Sequence, residues 1–501
     1  MATECYLSLD VGTTAVKAAL FSVDSGALVS LSLKEYALDT PAKDFVELDP
    51  EVYWRCCVEG SREAILTAGI DGRAIRSVGV SSQGETIILL DEQDRPVRNA
   101  IVWLDVRAAK EAAELAAIVG DENPTGQIEL SATWPVSKVR WLNRHEPNTI
   151  SRTARLLLVE DFILHRLTGE YGGEYSLYTS SYMLDIRQKR WWGRMLDAAG
   201  IRVEWLSTLA ESGTVVGRIR ADAREAIGLG PNCVAVAGAM DQTAAMLGAG
   251  SIAPGIATET TGAALVVAGT LGGYPTERIG TMALQCHAIP GEYLVMGWTS
   301  AGGISFKWLR DTLFPDLRDE ALAAGQDPYD ELIRLAAGIA PGSEGLLFLP
   351  FMAGPGTLRL DPALRGLYSG LNLSHTRGHL VRAMLEGLAL VLQMVVSDME
   401  ELGTKYEEVR SLGGGAQSDL WCQIKADITG RPMRRMKCPE ASALGTAMLQ
   451  AVAVGRYANL SEAAGQMVQT SMLFEPNLHT SAAMAVLRSR FADLVRRVGV
   501  R

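Results

Sequence analysis

Two stretches of this chain, LSLDVGTTAVKAALF at 7–21 and GIATETTGAALVVAG at 255–269, read alike: an apolar strand, a turn of glycine and threonine, and a second strand. Strands joined by so short a turn pair antiparallel. A third strand-like run at 27–34, after the turn Asp24-Ser25-Gly26, extends the first pair into a meander. That opening differs from the strand–loop–helix of a dinucleotide-binding unit. Its recurrence half a chain later predicts a duplicated α/β fold. A length of 501 residues exceeds one ordinary core, and the Gly/Pro-containing joint Ser251–Gly255 predicts two domains, 1–250 and 251–501.

Between these openings the helix signals are clear. Asp49 as N-cap with Pro50 at the first helical position predicts a helix to about Ala68. A buried strand follows at 77–82, then a hairpin-like pair around Asp91–Asp94. In the second half, helices are predicted at about 376–402, 418–429 and 442–454, with a packing helix at 482–498.

Composition removes several classes of function. Hydrophobic residues make up 48% and charged residues 21%, the balance of a folded globular chain. A formal net charge of −11 argues against a broad nucleic-acid surface, which needs clustered Lys and Arg. The seven cysteines are scattered without a CxxC pair, so reduced core thiols are expected. No basic, apolar leader precedes the first strand, and no run approaches about 18 consecutive apolar residues. A cytoplasmic chain with no membrane partner is therefore expected.

Four constellations carry chemistry. Asp10 ends a buried strand and is followed by Gly-Thr-Thr, which sets a carboxylate beside turn amides and the hydroxyls of Thr13 and Thr14. Turn amides hold phosphate oxygens, and such a carboxylate holds Mg²⁺ through its waters. Lys17 lacks the GxxxxGK spacing of a phosphate-loop lysine and is read as a strand residue with a solvated head. In AVAGAMDQ (235–242), small residues deliver Asp241 to a strand end or helix start, where it either caps the helix or accepts a proton from an attacking hydroxyl. Gln83, Glu85, Trp103, Asp105 and Arg107 gather the polar and aromatic groups that a polyhydroxylated ligand needs. The alternative is a core tryptophan beside a surface ion pair. Finally, Gly413-Gly414-Gly415 after a strand lets a nucleotide approach the backbone, with Ser418 capping the next helix. His375 and His379 share helical spacing and are read as a solvated helix start.

Taken in order, these segments resemble the FGGY family of carbohydrate kinases, which includes xylulose and glycerol kinases. The resemblance runs through Asp10–Thr14, WxDxR at 103–107, GxMDQ at 238–242 and Thr-Thr-Gly at 260–262. It continues through 349–371, RAMLEGLAL at 382–390 and GGGAQS at 413–418, nearly the whole chain. It implies a two-domain ribonuclease-H-like, actin/hexokinase fold with an interdomain cleft, sugar on the first domain and ATP mainly on the second. It implies Asp241 as general base, Asp10 at the metal, and Thr13 and Thr14 at the phosphates. Thr261 and Gly262 would meet the transferring phosphate, and Gly414, Gly415 and Ala416 the nucleotide. Gln83, Glu85, Trp103, Asp105, Arg107 and Gln242 would meet the substrate.

Two departures keep the acceptor open between a ketopentose such as xylulose and glycerol or another polyol. Xylulose kinases carry Met-His where this chain has Gly84-Glu85, and Gly-Glu-Arg-Thr-Pro where it has Gly354-Pro355-Gly356-Thr357-Leu358. Gln-x-Glu is closer to the Arg-Glu pair of glycerol kinases, without the Arg. The expected reaction is Mg²⁺-dependent transfer from ATP to a small sugar or polyol, by an enzyme for which a homodimer is allowed. An actin-like ATPase switch is the rival from another class; a chaperone of this fold would need a further substrate-binding domain.

Overall fold

The apolar runs at 5–22 fold as a tight pair because both of their faces are covered, which is also why they do not alternate polar and apolar. In the computed structural model, which describes residues 4–275 and 282–499, β1 (Cys5–Val11) and β2 (Ala15–Ser22) pair antiparallel from Cys5↔Ser22 to Val11↔Val16. β3 (Leu28–Glu35) joins β2 antiparallel. Helix α1 (Pro50–Ala68) starts where Asp49 accepts the Glu51 N–H at 3.0 Å and leads to β4 (Ile75–Ser82), parallel to β1. β5 (Val215–Arg218) and β6 (Val234–Met240) complete the order β5-β6-β4-β1-β2-β3, with β6 parallel to β4 and antiparallel to β5. Packed against these strands are Tyr53 and Cys57 of α1 and Phe162 and Leu164 of a later helix.

The second unit repeats the plan. β7 (Ile256–Thr261) and β8 (Leu265–Leu271) are antiparallel. β9 (Glu408–Leu412) lies parallel to β7, β10 (Met433–Met436) parallel to β9, and β11 (Thr470–Phe474) antiparallel to β10. The run β8-β7-β9-β10-β11 therefore repeats the pairing senses of β2-β1-β4-β6-β5. The duplication anticipated from two turns holds at the level of the sheets. By internal packing the units are discontinuous in sequence. The first takes Met1–Ile252, Leu284–Leu294 and Glu440–Val468; the second takes Ala253–Ala283, Val295–Pro439 and Gln469–Arg501.

Helices α2 (Pro135–His145) and α3 (Val159–Thr168) lie where the sequence reading placed none, whereas α4 (Asp241–Gly248), α5 (Arg377–Glu400), α6 (Asp419–Thr429), α7 (Ala441–Ala453) and α8 (Ser481–Gly499) fall close to where the sequence puts them. The turn at Asp91–Asp94 is hairpin-like, with a Leu90↔Pro96 bridge, but Ile88–Leu90 takes Arg155–Leu157 as its strand partner. Among the described residues α5 alone is long and apolar enough to cross a membrane, and 78% of its apolar window is buried within the protein. Arg382 and Glu386 interrupt that window, paired at 2.8 Å, with Glu386 also accepting from Gly342 N–H and the Ser343 hydroxyl. His379 is buried at the start of α5, where its Nδ1 accepts the Thr376 N–H, so the expected solvated histidine is instead a helix cap.

Candidate active site

The small residues of β6 have a steric purpose. A Cβ on Gly238 would lie 2.0 Å from the Val80 carbonyl, so only glycine lets β6 come this close to β4. The pairing then slips between Ala237 and Met240. The amide of Gly238 turns to Glu160 (2.9 Å) and that of Met240 to the Ser176 hydroxyl (3.1 Å). This bulge frees the strand end and delivers Asp241 as the first residue of α4. Gly248 of α4 and Gly445 of α7 pack backbone to backbone, since a Cβ on either would lie 1.9 Å from the other helix's carbonyl (Ala441 and Ala244). That crossing brings Ser442 to Asp10.

Asp10, next to last in β1, accepts at Oδ1 from the hydroxyls of Ser442 (3.0 Å) and Ser81 (3.3 Å). Burial lifts its carboxyl, against the Lys17 ammonium and these hydroxyls. Lys17 is not free in solvent as the sequence suggested; its ammonium meets Glu440 at 2.6 Å. Burial also lifts Asp241, helped by the charges of Asp10 and Glu85 and opposed by the Gln242 N–H, to about 7. That N–H reaches Asp241 Oδ1 at 2.6 Å. Three carboxyls with raised affinity for protons thus share one region of the first unit.

The segment 83–85 completes it. Gln83 is buried, donates from Nε2 to the Tyr53 hydroxyl at 3.1 Å, and holds Oε1 buried without a partner. Glu85 adopts a left-handed backbone (φ 59°). Burial raises its carboxyl to about 7, against Lys138 and a hydrogen bond from Ser180. Lys138 of α2 is wholly buried and donates to the carbonyls of Glu85 (3.2 Å) and Val102 (3.0 Å), tying 83–85 to 101–107. Desolvation lowers its ammonium to about 7. Trp103 is half-buried and donates from Nε1 to the Thr13 hydroxyl at 2.9 Å.

Asp105 and Arg107 lie beside this group but turn inward. Asp105 is fully buried and accepts from the amides of Val46 (2.7 Å) and Arg107 (3.1 Å) and from the Arg107 guanidinium. Arg107 also binds Glu47 at 2.6 Å and lies 3.7 Å over the Phe45 ring. Their charges meet protein partners and frame Trp103. Gln242 is half-buried next to Asp241.

In the second unit, Thr261 and Gly262 end β7 and open its turn, where the Gly262 amide donates to Ala264 at 3.0 Å. Gly414, Gly415 and Ala416 form a short helical turn after β9, and Ser418 caps α6 by accepting the Trp421 N–H at 3.2 Å. Gly415 and Gly413 lie against Thr261; a Cβ on the first would sit 2.5 Å from the Thr261 Cβ, and on the second 2.8 Å from its carbonyl. Ser442, Glu440, Lys138 and Ser180 escaped the sequence reading because each joins the site through the fold, with no local pattern to mark it. Among the described residues no group of three or more His, Cys, Asp or Glu forms a protein-only metal cage.

Residues 5–248 match the model of the N-terminal domain of the FGGY family of carbohydrate kinases, and residues 254–454 that of its C-terminal domain. A xylulose kinase of Lactococcus lactis subsp. lactis is 31% identical over 461 residues, covering 91% of this chain and 89% of that protein. A glycerol kinase of Chromobacterium violaceum is 30% identical over 505 residues, covering 97% and 96%. The crystal structure of a xylulose kinase from Rhodospirillum rubrum matches with a TM-score of 0.89 at 27% identity, over 99% of each chain.

Proposed function

This chain belongs to the FGGY family of carbohydrate kinases, and from that premise we propose that it transfers the γ-phosphoryl group of ATP to a hydroxyl of a small sugar, a ketopentose of the xylulose type. The observation that carries the reading is the carboxyl of Asp241, held at about 7 beside Asp10 and Glu85 at the ends of one sheet. A base so poised is half ionised at neutral pH and well matched to an alcohol proton.

In this reading the acceptor lies against Gln83, Glu85, Trp103 and Gln242. The unpartnered Gln83 Oε1 and the Glu85 carboxylate accept hydrogen bonds from its hydroxyls, and the Trp103 ring covers a C–H face. Asp241 accepts the proton of the attacking hydroxyl as the new O–P bond forms; the bond from γ-phosphorus to the β–γ bridging oxygen breaks, and ADP leaves with that electron pair. Thr13, Thr14, Thr261 and Gly262 are assigned to the phosphates, and Gly414, Gly415 and Ala416 to the nucleotide. Asp10, a lone carboxylate steadied by two serine hydroxyls, suits a magnesium ion that keeps most of its waters. Such an ion would supply neutralisation of phosphate charge. Six of the seven cysteines are buried, as reduced core thiols are, which suits a cytoplasmic setting.

The test is ADP release with a panel of pentuloses, hexuloses, pentitols, tetritols and glycerol. A ketopentose should give the highest kcat/KM. Preference for glycerol or an acyclic polyol would support a second reading, favoured by the carboxylate at Glu85. Equal ADP production with and without every acceptor would overturn both in favour of an ATPase switch.

A further inference from the structure

Beneath the Thr261 turn, wholly within the second unit, lies a buried ion pair whose members the proposed reaction does not use. Glu259 stands two residues before Thr261 on β7, so both side chains point to one face of the sheet. Glu259 is fully buried; Lys425, Ser411 and Thr261 are exposed by no more than 2%. Glu259 Oε2 accepts the Thr261 hydroxyl proton at 2.6 Å. Its Oε1 accepts from Lys425 Nζ at 2.5 Å and from the Ser411 hydroxyl. Lys425 reaches Thr261 as well, donating to Oγ1 at 3.3 Å, and its ammonium lies 4.7 Å from the Trp421 ring centroid.

The Thr261 hydroxyl is therefore spent inward, donating to Glu259 and accepting from Lys425. Its rotamer is fixed from below, and what the 261–262 turn can offer an anion is main chain. The network also spans the elements on either side of the glycine turn. Ser411 belongs to β9, which leads into Gly413, and Lys425 to α6, which follows the Ser418 cap. Since Gly413 and Gly415 press directly on Thr261, a shift of Thr261 must shift the turn at 414–416. Stability gives no reason for charges in this position, because burying an ion pair costs desolvation that apolar residues of similar volume avoid.

We propose that Glu259 and Lys425 are positioning residues that hold the Thr261–Gly262 turn and the 413–416 turn in register for the nucleotide phosphates. This rests on assigning the nucleotide to those turns. Lys425→Met should raise the KM for ATP and weaken ADP binding by calorimetry ~10- to 100-fold, the scale of a displacement near 1 Å, with the acceptor KM unchanged. Glu259→Gln/Lys425→Met removes both charges, so its melting temperature should return toward the parent while its ATP KM stays raised. A merely structural pair would instead see the double variant recover both, and that result, or a folded Lys425→Met with parental ATP KM, overturns the proposal. Should Lys425→Met not fold, Thr261→Val, which keeps the pair and removes only the hydroxyl, decides: a raised ATP KM supports the proposal and a parental one overturns it. Gly414→Val separates the two layers, since a Cβ there meets only the Thr261 carbonyl at 4.0 Å. Parental ADP affinity in that variant would sink the nucleotide assignment itself; weakened affinity there with parental affinity in Lys425→Met would sink only the positioning.

Discussion

Asp10, near the end of β1, and Asp241, just beyond the end of β6, are electrostatically coupled: the negative charge of Asp10 adds to burial in lifting the Asp241 carboxyl to about 7. A general base works only when deprotonated, so kcat/KM should fall about tenfold per pH unit below about 7. Asp10→Asn removes one of the two main causes of the lift. Whatever activity remains in that variant should keep an acid limb moved to lower pH. A limb that stays in place in the pH–rate profile would separate Asp10 from the titration of Asp241.

Asp241→Asn gives a second and independent reading. Asn keeps an oxygen for the Gln242 amide, so the fold should persist. Turnover should drop roughly 10²- to 10⁴-fold, the usual worth of a positioned base. The stability effect has a definite sign. A carboxyl whose folded pKa is raised binds its proton more tightly in the folded chain, so between about 4 and about 7 the parent loses stability as pH rises. The variant lacks that loss. It should melt above the parent at pH 8, by on the order of 1 kcal/mol after allowing for partial exposure, and near it at pH 4.

How far this site could be read in advance depended on where each partner lies in the chain. Asp10, Gln83, Trp103 and Asp241 stand in short segments whose own residues announce a strand end or a turn, so the sheet could be expected to gather them. Ser442 reaches Asp10 only because two helices cross at Gly248 and Gly445, and nothing around 442 marks it. Asp105 and Arg107 read as a ligand-facing pair because their charges stand together in WLDVR. Their true partners, Phe45, Val46 and Glu47, lie about sixty residues earlier, beyond any local pattern. Thr261 stands in a Thr-Thr-Gly turn that the sequence marks by itself, but the inward use of its hydroxyl depends on Lys425, far along the chain.

Packing leaves no room for a side chain at position 84. A Cβ there would lie 2.3 Å from the Ser180 hydroxyl and 3.3 Å from the Ser180 Cβ. Gly84→Ala should cost about 1–3 kcal/mol and raise the acceptor KM, because Ser180 also bonds Glu85. Adding Ser180→Ala removes the closest atom and leaves a tight 3.3 Å contact with the residue-180 Cβ, which a small shift relieves, and an ordinary 3.8 Å contact with Met240 Sδ. Denaturant melts of the single and double variants should show recovery of most of the lost stability; a double variant no better than Gly84→Ala would refute the steric account.

Glu85→Gln keeps the shape of the side chain and removes its charge. If the carboxylate accepts hydrogen bonds from acceptor hydroxyls, the acceptor KM should rise by a factor matching about 1–3 kcal/mol, with the ATP KM unchanged. The parent's acceptor KM should also worsen as pH falls through about 7, where Glu85 gains its proton, and the variant's should lose that component. Since Asp241 titrates in the same range, the comparison is made on acceptor affinity by calorimetry, where proton transfer to the base plays no part.

Lys138 holds segment 83–85 from behind, and if that segment meets the acceptor its removal should act on acceptor and nucleotide unequally. Lys138→Met preserves length and burial but leaves the carbonyls of Glu85 and Val102 without their donor, at about 1–3 kcal/mol for each buried acceptor orphaned. Glu85 holds a left-handed backbone that costs energy on its own, so losing its anchor should let 83–85 relax and raise the acceptor KM. The pH dependence of stability has the opposite sign from that of Asp241. An ammonium lowered to about 7 binds fewer protons folded than unfolded, so from about 7 to about 10 the parent gains stability as pH rises, and the variant should lack that gain. Melting curves across that range, with acceptor and ADP affinities from the same preparations, test both halves. A variant whose ADP affinity falls as much as its acceptor affinity would show general loosening of the fold and remove Lys138 from any specific role in placing Glu85.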